Sequence, residues 1–101
     1  MVTPIELTQT PTYTLQTVTA NIGSAVVESA TALASRKGVT FRNEGASNLY
    51  ITSGAAATAY ITLLPYDSVV YIMTPANPTT VLFYFAVPAS GSAVVEREEW
   101  L

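Results

Sequence analysis

Acid–base chemistry in this chain falls to its carboxylates, with Asp67, Glu96, Glu98 and Glu99 as the candidates, because the sequence contains no histidine and no cysteine. That absence removes the Ser-His-Asp and Cys-His arrangements and the nitrogen and sulfur ligands that zinc prefers. A glycosidase pair needs two carboxyl groups facing each other across a cleft. Glu96, Glu98 and Glu99 instead crowd into four positions, the last two on what reads as a tail, Glu98-Glu99-Trp100-Leu101. Asp67 sits in the turn Leu64-Pro65-Tyr66-Asp67. All four therefore read as solvated or turn-stabilising groups. Calcium is no better served, since the EF-hand spacing is missing and no glycine or asparagine flanks the cluster to bend a loop around an ion. Asn77-Pro78-Thr79 has proline in the middle position and so is not a glycosylation acceptor. The expectation is a chain with no catalytic residues, no metal and no cofactor.

The cations are equally sparse. Arg36, Lys37 and Arg42 form the only basic cluster, and seven acids against four bases give a net charge of −3. That sign opposes phosphate binding, so nucleic acid is a poor partner. The cluster reads as a solvated loop and strand face, with a salt bridge at a protein interface as the alternative. The longest purely apolar run, Val81 to Val87, is far too short to cross a bilayer as a helix, and Met1 is followed by no basic leader, so no membrane or signal segment is expected. Half the residues are hydrophobic and 11% are charged, a balance that folds; 101 residues suffice for one core.

The elements that would position these groups are strands. Thr10, Thr12 and Thr14 alternate with Pro11, Tyr13 and Leu15. Pro4 and Pro11 cannot donate to a ladder, so residues 1–14 are expected to form an extended N-terminal arm or edge, with one domain over 15–101. Residues 21–35 read two ways: Val26, Ala30, Leu33 and Ala34 fit a helical face, while Val26-Val27 suits a short strand followed by a loop, the reading preferred here. Val39 and Phe41 should face one way and Thr40 and Arg42 the other, up to a turn at Asn43-Glu44-Gly45. Further strands are expected at Asn48–Thr52, Tyr60–Leu64, Ser68–Met73, Thr80–Val87 and Ala93–Arg97. Short strands with turn residues every 8 to 12 positions or so indicate an all-β fold, either an antiparallel β-sandwich (jelly-roll-like) or a small barrel of seven to nine short strands.

Two strands carry apolar residues on both faces. Val81, Phe83, Phe85 and Val87 oppose Leu82, Tyr84 and Ala86, while Val69, Tyr71 and Met73 oppose Val70 and Ile72. A sandwich buries one face per strand, so a monomer would expose apolar surface and an oligomer is expected. Trp100 is either tucked against its own domain or an anchor on a partner. The arm could add a strand to a neighbour's sheet. The candidate partner-binding residues are therefore Pro4, Ile5, Leu7, Tyr13 and Trp100.

The segment Ser35-Arg36-Lys37-Gly38-Val39-Thr40-Phe41-Arg42-Asn43-Glu44-Gly45, followed by Asn48-Leu49-Tyr50-Ile51, resembles a class of small tailed-bacteriophage structural proteins. That class shares an Arg-Lys/Arg-Gly-hydrophobic strand, an Asn-x-Gly turn and a Leu/Val-Tyr-Ile strand. The Leu64-Pro65 turn and the Glu99-Trp100 ending also match, although Tyr66 stands where the class usually has glycine. The likeness runs from about Val18 to the C-terminus. It implies a β-sandwich in a virion: a capsid decoration (cement) protein on the outer capsid surface, bound to the major capsid protein and often trimeric. The alternative is a head-fibre or tail accessory module that binds a host-surface carbohydrate, with Tyr50, Tyr60 or Tyr66 as stacking platforms.

Overall fold

The computed structural model describes residues 12–21, 23–28, 32–33, 36–53, 60–72 and 82–100. Eight strands follow in order: β1 (Thr12–Val18), β2 (Val26–Val27), β3 (Gly38–Asn43), β4 (Leu49–Thr52), β5 (Ile61–Leu63), β6 (Ser68–Ile72), β7 (Tyr84–Ala86) and β8 (Ala93–Trp100). They form two four-stranded sheets, ordered β1-β8-β3-β6 and β2-β7-β4-β5, in which every strand neighbour is antiparallel. The pairs β1·β8, β2·β7, β3·β6 and β4·β5 are nested one inside the next, as if a long hairpin had been folded over twice. That nesting is the jelly roll, and neither sheet closes into a barrel.

Hydrophobic alternation explains why the sheets stack. Val39 and Phe41 of β3, Leu49 and Ile51 of β4, Leu63 of β5, Phe85 of β7, and Ala93 and Val95 of β8 meet in one core with Val18, Phe83 and Val87. Phe41 lies at its centre, edge-on to Phe83 at 4.9 Å and Phe85 at 5.1 Å between ring centroids. Each such side chain contributes about 1.5–3 kcal/mol by leaving water. The expected orientation of β3 is what the structure shows, with Val39 and Phe41 buried and Arg42 exposed. The turn after β3 is held by buried Asn43, whose Oδ1 accepts from Gly45 N at 2.9 Å while Nδ2 donates to Ser47 O and Leu63 O. Gly45 passes so close to the backbone of Ala93 that a side chain has no room.

Three expectations change in detail. The segment read as a tail is strand: β8 continues through Trp100, because Glu98 and Glu99 are held between β1 and β3 and Trp100 pairs with Gly38 of β3. The long strand expected at residues 80–87 is strand only over Tyr84–Ala86, with residues 80 and 81 outside the described set. Of the two forms expected for residues 1–14, arm or edge, Tyr13 and Thr14 take the second: they lie in edge strand β1 and pair with Glu98 and Arg97 of β8, while residues 1–11 lie outside the described residues.

Candidate docking face

The first sheet has one face in the core and one in water, and strand register decides which side chains share the outer one. Tyr13 pairs with Glu98, Glu98 with Thr40, and Thr40 with Val70, which makes one row across all four strands. On one side the next row is Leu15, Glu96, Arg42 and Ser68; on the other it is Trp100, Gly38 and Ile72. The alternation of burial along β8 and β6 places these residues on the solvent side.

This face is apolar at both edges. Leu15 and Tyr13 on β1 are 69% and 59% exposed, and Ile72 and Val70 on β6 are 74% and 55% exposed. Trp100 is half-buried, its indole lying on Gly38, where a Cβ would collide with three of its ring atoms. Between the edges run Glu98 and Glu96. The negative charge of the Glu98 carboxylate opposite Tyr13, followed by burial, hydrogen bonding to Glu98 and the charge of Glu96, raises the Tyr13 pKa. Tyr13, Thr14, Leu15 and Glu96 bound a shallow depression. Arg42 stands opposite Glu96 in register but turns its Nε to Glu44, 2.6 Å away.

Beneath the sheet the picture reverses the expectation for Arg36 and Glu99. Both are buried, at 1% and 0% exposure, in a four-membered ion network with Glu28 and Arg97. Arg36 reaches Glu99 at 2.8 Å and Glu28 at 3.4 Å; Arg97 reaches Glu28 at 2.7 Å and Glu99 at 3.1 Å. Leu33 N donates to Glu99 Oε2 at 3.0 Å, and the Arg36 guanidinium lies over the Phe83 ring. Two positive and two negative charges cancel inside the sandwich. Inward alternation along β8 drives this arrangement: Arg97 and Glu99 follow Ala93 and Val95 on the core side.

Of the residues singled out from the sequence, Tyr13 and Trp100 are brought together as diagonal neighbours on the outer face, while Pro4, Ile5 and Leu7 lie outside the described residues. Sequence reasoning did not connect Leu15, Val70 and Ile72 with them, although the period-two pattern of β1 and β6 carried that signal. Glu28 was passed over altogether. On the second sheet Tyr50 and Tyr60 meet edge to face at 6.3 Å, and Tyr66 is exposed on the β5–β6 turn with φ of 68°. Among the described residues, no group of three or more acidic, histidine or cysteine side chains is placed to hold a metal ion. No protein-family model matches the sequence, and no curated protein or solved structure matches it at a significant level.

Proposed function

We propose that this chain is a virion structural protein, a capsid decoration protein that binds the major capsid protein on the outer surface of the assembled head, as a homotrimer. The observation that carries the reading is the outer face of the first sheet, where Tyr13, Leu15, Val70, Ile72 and Trp100 present apolar surface. Exposed apolar side chains gathered on one sheet face in this way mark a protein interface. The resemblance around Arg36–Gly45 and Asn48–Ile51 supplies the phage setting. The jelly-roll topology is compatible with it, since capsid proteins use that fold, as do lectins.

The mechanism is mass action. A protein that binds only the assembled shell stabilises it by RT ln(1 + [L]/Kd) per site, about 2.7 kcal/mol at a hundredfold excess over Kd. Sedimentation of the purified chain with capsids assembled from the major capsid protein of its own source tests the reading. Saturable binding that raises the temperature of shell disruption is expected; free chain left in the supernatant at every concentration would overturn it. Light scattering over a dilution series is expected to give three times the chain mass.

The edge-to-face pair Tyr50–Tyr60 supports a second reading, a head-fibre or tail accessory module that stacks a host-surface sugar on the second sheet. A glycan array without hits would remove it.

A further inference from the structure

We infer that the outer face of the first sheet receives a lysine or arginine from a different protein, seated in the depression bounded by Tyr13, Thr14, Leu15 and Glu96, with Glu98 beside it on β8. The inference rests on the docking reading above and adds the chemistry of the partner. Glu96 and Glu98 are two residues apart on β8 and so point the same way, about 7 Å apart along the strand. One cation between them is within reach of both. Neither carboxylate forms an ion pair among the described residues. Glu98 has Tyr13 and Thr40 opposite it and Leu15, Gly38 and Arg42 at the diagonals, with Arg42 turned to Glu44.

The apolar edges and the acidic centre together select the partner. Docking on Leu15, Tyr13, Val70 and Ile72 removes Glu96 and Glu98 from water, and a buried carboxylate without a cation is costly. A neutral or anionic surface is therefore rejected, while an apolar surface bearing a cation satisfies both features. A second copy of this chain serves badly. Of its four basic side chains, Arg36 and Arg97 are consumed in the interior network and Arg42 is paired with Glu44. That leaves Lys37 alone to answer two acids. The occupant is a different, basic protein surface.

Trp100 is the only tryptophan and sits on this face, so its fluorescence reports occupancy. The probes are three capped seven-residue peptides: alternating leucine and lysine, alternating leucine and glutamate, and alternating serine and lysine. The leucine–lysine peptide is expected to shift Trp100 emission saturably, and the other two to bind at least tenfold more weakly. The double variant Glu96→Gln, Glu98→Gln is expected to weaken the leucine–lysine peptide about tenfold and to flatten its salt dependence. Asp67→Asn, on the exposed β5–β6 turn, controls for loss of a surface carboxylate elsewhere, one charge against the two of the double variant, and is expected to change nothing. Equal binding of the leucine–glutamate or serine–lysine peptide, no effect of the double variant, or an equal effect of Asp67→Asn would each overturn the inference, as would no leucine–lysine binding. Unchanged thermal melting of the double variant excludes misfolding. Capsids that bind the chain and its double variant equally would sink the inference alone; capsids that bind neither, with the peptide results as expected, would sink the docking reading alone.

Discussion

The Trp100 indole lies directly on Gly38, its cross-strand partner on the outer face, and occupies the volume that a side chain at position 38 would need. A ring laid on a glycine covers backbone that would otherwise be open to water, and fixes register between the two strands. Gly38→Ala is expected to lift the indole off the sheet, red-shift its emission and cost about 1–2 kcal/mol, the usual penalty for overpacking. Trp100→Ala should cost a similar amount by losing the same contact. In the Trp100→Ala background Gly38→Ala should be close to neutral, because the two changes remove one interaction. Additive losses in urea unfolding would show that the pair is not coupled.

The buried network makes a sharper demand. Glu28 faces both Arg36 and Arg97, so Glu28→Gln leaves an uncompensated cation inside the sandwich. The expected cost is about 3–5 kcal/mol, the range for breaking a buried ion pair from one side. Arg36→Met with Glu99→Met removes one charge of each sign and leaves Arg97 with Glu28. That double variant is expected to be more stable than either single one. A double variant less stable than both, measured by denaturant midpoint at unchanged slope, would contradict the charge-balance account.

How far the sequence disclosed this arrangement depended on whether polarity changed with direction. In β3 the inward Val39 and Phe41 differ in kind from the outward Thr40 and Arg42, so the facing was legible. In β8 the run Glu96-Arg97-Glu98-Glu99 is charged on both sides, and nothing local says that Arg97 and Glu99 point inward. Their partners are distant: 69 residues separate Arg97 from Glu28 and 63 separate Glu99 from Arg36. Only the strand pairing supplies those contacts. The apolar outer face was half legible for the same reason. Apolar residues on both faces of 68–73 announced an exposed stripe without saying which face, and that Val70 and Ile72 form it together with Tyr13, Leu15 and Trp100 follows from β8 lying between β1 and β3.

Tyr66 offers a stabilising change. Its φ of 68° lies in the left-handed region, where a side chain costs about 1–2 kcal/mol and glycine costs nothing. The conformation is enforced by the β5–β6 turn, in which Tyr66 N donates to Asn43 O at 2.6 Å and Asp67 N to Leu64 O at 3.0 Å. The ring itself is largely exposed. Tyr66→Gly is expected to gain about 0.5–1 kcal/mol, after the greater freedom of glycine in the unfolded chain is deducted. Tyr66→Val, branched at Cβ, should lose stability instead. A lower melting temperature for Tyr66→Gly would mean that the ring makes a contact outweighing the strain.

Tyr13 couples the docking face to pH. The charge of Glu98, then burial, the hydrogen bond to Glu98 and the charge of Glu96 raise its phenol pKa above the ordinary 10.0. The folded state thus favours the neutral phenol, and its contribution to stability is complete below the unfolded pKa and lost as pH rises through the folded value. Tyr71, raised by burial, acts in the same direction. Near-ultraviolet phenolate absorbance, taken as the difference between the chain and Tyr13→Phe, isolates one titration among six tyrosines. Its midpoint is expected above 10.0, to fall with Glu98→Gln and with added salt, and to fall again when an alternating leucine–arginine peptide is bound, because a guanidinium stays charged at this pH and, beside Glu98, cancels the field that holds the proton. A midpoint unmoved by Glu98→Gln would show that the carboxylate is not the cause. A midpoint unmoved by bound peptide would place the cation elsewhere on the face.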